Sequence, residues 1–587
     1  MNYSLKIYDA NNKEKLSFLK LGKQFLVFLT DEKLKLLASF AAIAISSAVS
    51  IATPFILGKA IDTFVQNKNL LGLTKDSLII LAIYLVGFLT NFVQTRTMGS
   101  IGQNILFKLR QSLFKKIQSL PLAFFNQNKL GDLISRINND TDKLNQFFSQ
   151  QLNQFAGNFF TMVGISVFIF FINWKLALVT LASAIVLFVI TYFISPWMSR
   201  RNRMSLQSLG SLSAEIQESL NNFKVMVAFD RRDYFRENFN KVNTDNFNYS
   251  VKSGIANNIS GPMYDFAGNM ATLLVLLYGI FLITQGQFTV GLLISFLSYT
   301  DRFYGPLRQM ASIFASAQVA LAGWNRIFEI LNLTSDMPVL PETPIKTTDS
   351  VMHFEKVSFK YEDSKWILKN VNFNFGYGKT YAIVGPTGGG KSTLASLMTR
   401  LYDPQKGTIY LEGKDIKTYK SEEISQKIGF ILQEQYLFTG TVGENIVYGN
   451  SEFPTYSKEK LEKLLKDLDL KVLINKFDQG LDTPITPTSE TISLGQKQLI
   501  SFIRAIIRNP DLLIMDEATA NIDTVTECLL QTIIDKLPEK TTKVIIAHRL
   551  NTIKKADEIY FVNNGSIETA ESFEKSLELI TKSKRNS

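Results

Sequence analysis

Long uncharged apolar runs alternate with basic polar segments over the first 330 residues or so, and short strand-like runs separated by helical stretches follow. Leu36 to Gly58 carries no charge, and neither do Ser77 to Thr95, Leu144 to Trp174 or Leu176 to Ser199. Ser253 to Thr300 carries only Asp265 and is broken near Thr284-Gln-Gly-Gln-Phe288. A helix needs about 20 apolar residues to cross the hydrocarbon core. The pattern therefore predicts six membrane-crossing helices, the last running past Thr300 towards Leu321. Leu16 to Leu29 sets Leu16, Phe18, Leu19, Phe25 and Leu29 against Lys15, Lys20 and Lys23, which predicts an amphipathic helix lying in the interface plane. Lys20 and Lys23 interrupt that first apolar stretch, which argues against a cleaved signal. Asn332 to Ser350 is polar with Pro338, Pro341 and Pro344, and reads as a linker. From Val351 the alternation of β-like and helical runs predicts an α/β domain.

These patterns divide the 587 residues into four parts. Residues 1–30 form a cytoplasmic segment with the amphipathic helix, and 31–331 form the six-span helical domain. Residues 332–350 link it to the α/β domain at 351–583. The fold class is thus multidomain: a six-helix transmembrane domain with long intracellular helices, plus an α/β domain. The 45 phenylalanines fit a membrane protein. The net charge of +11 does not point to nucleic acid, because no aromatic-basic recognition patch accompanies it and basic cytoplasmic loops give the same sum. The segment between spans two and three holds Lys108, Arg110, Lys115, Lys116, Lys129, Arg136 and Lys143; that between spans four and five holds nine more Lys and Arg residues. The opposite loops are short and poorer in positive charge. The positive-inside rule therefore places both termini and the α/β domain in the cytoplasm, with the chain integral to the cytoplasmic membrane. The one cysteine, Cys528, permits no internal disulfide.

The sharpest chemistry is Gly385-Pro386-Thr387-Gly388-Gly389-Gly390-Lys391-Ser392-Thr393, after the β-like run Thr380 to Val384 and before the helical run Leu394 to Arg400. Glycines at this spacing let successive backbone N–H groups converge on phosphate oxygens. Lys391 supplies a point charge for the outer phosphates, and the Ser392 hydroxyl a ligand for Mg²⁺. Leu512-Leu-Ile-Met-Asp516-Glu517 is a buried-strand run ending in two carboxylates. Asp516 is placed to meet Mg²⁺, and Glu517 to polarise the attacking water.

With these motifs the chain resembles the ATP-binding-cassette (ABC) proteins over nearly its whole length, as a half-transporter of the type IV exporter fold. The resemblance implies that Tyr361 stacks on adenine, that Gln433 reaches Mg²⁺ and the water, and that His548 contacts the γ-phosphate. It also implies that Asp523 lies in the loop crossing a dimer interface. Leu120-Pro-Leu-Ala-Phe-Phe125 and Gly131-Asp-Leu-Ile-Ser-Arg136 resemble the first intracellular loop, whose short helix near Asn138 to Leu144 is expected to dock on the cassette. The family signature Leu-Ser-Gly-Gly-Gln reads Ile492-Ser493-Leu494-Gly495-Gln496 here. A leucine in place of the first glycine hinders close approach to the phosphate held by a partner's loop. Intact phosphate-loop residues beside an altered signature resemble one subunit of heterodimeric bacterial multidrug exporters. A homodimer that tolerates Leu494 is the alternative arrangement.

The resemblance implies ATP-driven efflux by alternating access, with ATP and Mg²⁺ as cofactors. The implied partners are a second half-transporter, the bilayer and a small amphipathic substrate such as a drug, lipid or peptide-like molecule. A siderophore-type importer on the same fold and an ATP-gated regulator are the rival readings. Asp265, alone in its apolar stretch, faces either the substrate cavity or a neighbour, or else lies at the cytoplasmic interface.

Overall fold

The computed structural model describes residues 3–5, 30–67, 70–342, 344–362, 365–486, 492–516, 524–535, 537–546, 553–570, 574–575 and 578. The expected amphipathic helix at Leu16 to Leu29 lies outside them. The described residues fall into two compact units, divided after Leu5, on either side of Ser119–Lys129, and between Asn332 and Leu333.

The helical unit is built from α1 (Lys33–Asn67) and α2 (Leu70–Gln118). After α3 (Leu122–Gln127), which belongs to the other unit, come α4 (Leu152–Ile172), α5 (Trp174–Asn221), α6 (Arg232–Asn258), α7 (Ser260–Thr284) and α8 (Val290–Leu331). Among the described residues, five stretches are long and apolar enough to cross a membrane: Thr30–Phe64, Leu70–Gln118, Leu130–Ile172, Trp174–Asn221 and Arg232–Thr284. The segment expected as the sixth span forms the 42-residue α8, which is not among these five; Asp301, Arg302 and Arg308 interrupt its apolar run. Arg302 is held by the Ser50 carbonyl at 3.1 Å. At 49 and 48 residues, α2 and α5 are each about 70 Å long, more than twice the hydrocarbon thickness, so both project well beyond a bilayer.

The short connections have local causes. Asn173 alone separates α4 from α5 and caps α5 by accepting from the backbone N–H groups of Lys175 and Leu176. Gly286 turns the chain between α7 and α8 at φ +71°. Ile165, Ile169, Leu176, Phe296 and Tyr299 form the apolar core of this unit, while Phe171, Phe188 and Phe193 are exposed on its outside, as a lipid-facing surface requires.

Two features of this unit were not expected. First, α1 and α8 meet backbone to backbone: a Cβ on Gly58 would lie 2.3 Å from the Gly291 carbonyl oxygen, and one on Gly291 1.9 Å from that of Gly58. Around this crossing Asp62 accepts from the Gly291 N–H at 2.8 Å and the Thr289 hydroxyl at 2.6 Å, and Ser295 donates to the Pro54 carbonyl at 2.7 Å. Second, Arg136, counted above among solvated basic loop residues, is only 1% exposed. It opens a π-helical turn, Arg136–Asp140, and donates to Asp132 at 2.9 Å, Glu329 at 2.7 Å and the Arg326 carbonyl at 2.7 Å. Arg326 pairs in turn with Asp132 and Asp140.

The second unit joins residues 3–5 and Ser119–Lys129 to the chain from Leu333 onward. The segment grouped with the nucleotide-binding domain is thus Ser119–Lys129, carrying α3. The stretch near Asn138 to Leu144, expected to dock there, belongs to the helical unit. An antiparallel sheet has the order β2-β1-β4-β5, from β1 (Ser350–Phe359), β2 (Leu368–Gly376), β4 (Lys406–Leu411) and β5 (Lys414–Asp415). A six-stranded sheet contains β3 (Thr380–Val384), β6 (Ile428–Ile431), β7 (Leu512–Asp516), β8 (Thr542–Ile546), β9 (Glu558–Asn563) and β10 (Ser566–Ala570). Its order is β10-β9-β3-β8-β7-β6; all pairs are parallel except β9 with β10. Buried Tyr381, Ile383, Leu394, Ile514 and Val544 fill the space beneath it.

Candidate nucleotide site

Parallel pairing decides where the chemistry collects. Ile383 of β3 lies beside Ile546 of β8, Ile546 beside Asp516 of β7, and Met515 beside Ile431 of β6. The carboxyl ends of all four strands therefore share one edge, where ligands of open α/β sheets bind. From that edge spring the loop Gly385–Gly390 and the segment containing Gln433, and Asp516 closes β7 there. Asp516 is buried at the end of a strand buried throughout. Glu517 and His548 follow β7 and β8 in sequence, but they and Asp523 lie outside the described residues.

The loop is a cradle that only glycine fits at two points. Gly385 has φ +154°, and a Cβ on it would lie 2.1 Å from the Val562 carbonyl oxygen. Gly390, at φ +110°, precedes α9 (Lys391–Met398) as its N-cap, which no L side chain adopts without strain. The N-terminus of α9 thus points its first N–H groups and positive dipole end into the loop. Lys391 is 6% exposed, and its ammonium donates to the Gly385 and Pro386 carbonyls at 2.9 and 3.0 Å. Ser392 is exposed at the second position of α9. A loop of N–H donors, one centred ammonium, a hydroxyl and a buried carboxylate on one edge fit a polyphosphate with a divalent cation.

Tyr361 is the residue expected to stack on adenine. Its ring stands edge-on to Phe359 at 4.9 Å and to Tyr402 at 5.1 Å, and its hydroxyl donates to Thr393 at 3.3 Å. Tyr402 was not singled out from the sequence. It accepts from the Asn126 side chain of α3 at 2.7 Å, and burial raises its phenol above the ordinary value. A lone tyrosine in Leu401-Tyr-Asp has no motif to mark it.

The signature segment forms α10 (Leu494–Ile506). Ser493 caps it: its hydroxyl accepts from the Gln496 N–H at 3.2 Å, and the Gln496 side chain accepts from the Ser493 N–H at 2.8 Å. Leu494 takes the first helical position with ordinary helical backbone, so the leucine is accommodated without strain. Its consequence lies in the side chain, which is 49% exposed at the helix tip. Asp265 is exposed in the second turn of α7, just after the polar α6.

The sequence was compared with known proteins. A family model described as the ABC transporter transmembrane region matches residues 36–307, and one described as ABC transporter matches residues 368–520. The uncharacterized ABC transporter ATP-binding protein YfiC of Bacillus subtilis is 34% identical, covering 92% of this chain and 89% of its own. A fatty acid ABC transporter ATP-binding/permease protein of Mycobacterium tuberculosis is 31% identical over 86% of this chain and 79% of its own. An ATP-dependent lipid A-core flippase of Syntrophus aciditrophicus is 30% identical over 89% and 86%.

Proposed function

Because this chain belongs to the ABC transporters, with the transmembrane region and the ATP-hydrolysing domain of that family in one polypeptide, we propose that it is one half of a heterodimeric exporter. It is a multi-pass membrane protein with a cytoplasmic ATPase domain. The observation that carries the heterodimer is the contrast between its two ATP-facing surfaces. The phosphate loop, Lys391 and Asp516 are intact and share the edge of one sheet, whereas the capped tip of α10 presents Leu494. In the proposed arrangement this chain's loop meets an intact signature from its partner and forms the hydrolysing site. Leu494 faces the partner's loop at the slow site.

Bound ATP supplies the phosphoryl group whose hydrolysis releases the closed state. The loop N–H groups and Lys391 hold the phosphates, and Ser392, Asp516 and Gln433 are the residues that would hold Mg²⁺, which would neutralise charge on the phosphates. Glu517 orients the water and takes its proton, and His548 steadies the γ-phosphate end. Domains 31–331 and 351–583 divide the labour between passage and hydrolysis. The relatives named for fatty acid and lipid A-core favour an acyl-chain-bearing amphipathic substrate.

Affinity purification of this chain from its native membrane, followed by mass spectrometry, is expected to yield a second half-transporter in equal amount. In inside-out vesicles the pair is expected to accumulate fluorescent lipid or amphipathic dye with ATP. Glu517→Gln is expected to lower hydrolysis by roughly 10²-fold or more while nucleotide binding persists. Purification of this chain alone as a fully active homodimer would overturn the heterodimer. Accumulation only in right-side-out vesicles would make it an importer.

A further inference from the structure

The segment Tyr3–Leu5 occupies an unusual place. The chain passes between its two units after Leu5, on either side of Ser119–Lys129, and before Leu333. Tyr3 itself precedes the first of these crossings and binds residues beside those at Lys129 and Leu333, all within the nucleotide-binding unit. Its backbone N–H donates to the Gln127 side chain at 2.5 Å, and its carbonyl accepts from Asn128 at 2.9 Å. Asn128 in turn accepts from the Leu5 N–H at 2.9 Å. The Tyr3 ring meets Phe124 of α3 edge to face at 6.5 Å. Its hydroxyl donates to the Asp336 carboxylate at 2.6 Å and accepts from the Asp336 N–H at 2.7 Å.

A phenol that is 1% exposed and used as both donor and acceptor is a fixed node, not a surface contact. The six-residue α3 has one turn and a half of its own hydrogen bonds and a proline at its N-cap, so it cannot hold its place by helix propensity. It is held instead by partners of its C-terminal turn. Gln127 and Asn128 are tied to Tyr3, and Asn126 reaches Tyr402, which stands against Tyr361 at the base end of the nucleotide site.

We propose that Tyr3 is a positioning residue for transport: it clasps α3 to Asp336, so that movement of the nucleotide-binding unit is passed into the helices flanking Ser119–Lys129. The inference rests on the exporter reading above. It assigns the task of tightening that link to a segment more than a hundred residues upstream of α3. Without the clasp α3 yields locally, and nucleotide closure proceeds with less movement of the helical unit.

The test uses the complex that co-purifies with this chain, in nanodiscs of phosphatidylethanolamine and phosphatidylglycerol, read by amide hydrogen exchange. Tyr3→Phe keeps the ring on Phe124 and deletes the hydroxyl; Asp336→Asn keeps an acceptor and the backbone N–H. Tyr3→Phe is expected to speed exchange of amides 124–129 by roughly tenfold, the effect of losing two hydrogen bonds, while β3 and α9 are unchanged. Trapping with ATP and vanadate is expected to alter exchange in residues 96–118 and 130–151 of the wild type. In Tyr3→Phe that change falls to about half or less at equal trapped nucleotide, and Asp336→Asn stays near wild type. Equal exchange of 124–129 in Tyr3→Phe and wild type, or an undiminished response to trapping, overturns the proposal. A wild-type complex that traps no nucleotide instead refutes the exporter reading, and the exchange of 124–129 still decides whether the clasp exists.

Discussion

Replacing Arg136 by methionine keeps most of the side-chain volume and removes the charge at the centre of the helical unit's ion-pair network. Three donated hydrogen bonds disappear, to Asp132, Glu329 and the Arg326 carbonyl. Breaking a buried pair by deleting one partner costs about 3–5 kcal/mol, mostly because the remaining charge is left unpaired. The carboxylates here keep some water, with Asp132 38% and Glu329 26% exposed, and Asp132 retains Arg326. That moves the expected cost to the low end, about 3 kcal/mol. For a unit of this size the apparent melting temperature should then fall by roughly 4–5 °C, measurable by scanning fluorimetry in detergent or nanodiscs. A second measurement isolates the cause. Arg136→Met with Glu329→Gln also removes the carboxylate that faced the lost guanidinium, so the double variant should melt above Arg136→Met alone, a coupling of about 1 kcal/mol or more. The reasoning fails if Arg136→Met melts within about 2 °C of wild type, or if Glu329→Gln lowers the melting point by the same amount in both backgrounds.

Leu494→Gly should raise ATP turnover of the co-purified complex, because it clears the tip of α10 at the proposed slow site; a steady-state rate equal to wild type would count against a blocking leucine. Gly58→Ala should lower thermal stability by roughly 1–3 kcal/mol, since its new methyl carbon would lie 2.3 Å from a carbonyl oxygen of α8; scanning fluorimetry checks this. Burial, together with the Asp336 carboxylate, pushes the Tyr3 phenol up to about 12. A folded-state value above the unfolded one means that its stabilisation is complete below about pH 10 and is lost as pH rises towards 12. Amides 124–129 should accordingly lose protection in that alkaline window, after correction for intrinsic exchange, and the loss should be absent in Tyr3→Phe.

The features that could be read in advance are those whose cause is local. Uncharged runs and the Thr284-to-Phe288 break announced the long helices, because lipid leaves the backbone no alternative. The glycine spacing announced the phosphate loop, because Gly385 and Gly390 need conformations other residues resist. Arg136 went unrecognised because nothing in Ser135-Arg-Ile tells a solvated cation from one enclosed by Asp132 and Glu329, and Glu329 is almost two hundred residues away. The family resemblance drew attention to Asn138–Leu144 as the docking stretch; that α3 is grouped with the nucleotide-binding unit, through Asn126, Gln127 and Asn128, depends on partners far along the chain. Tyr3 carried no signal, since a tyrosine among polar residues becomes a node only through partners far along the chain. For α8, expected as the sixth span, the helix is there at 42 residues, but Asp301, Arg302 and Arg308 break the apolar run that a span needs.

The crossing of α1 and α8 has a mechanical consequence. At Gly58 and Gly291 two backbones touch with no side chain between them, and Asp62 grips the start of α8 from α1. Such a contact has little room to slide and much more room to rotate, so it acts as a fulcrum. The 42 residues of α8 then form a lever about 60 Å long, ending at Leu331, where the chain leaves the helical unit. A rotation of about 5° at the fulcrum carries that far end roughly 5 Å, the rise of one helical turn. The gearing works in both directions: a displacement of one turn at Leu331 is needed to tilt the helix by a few degrees where it crosses α1.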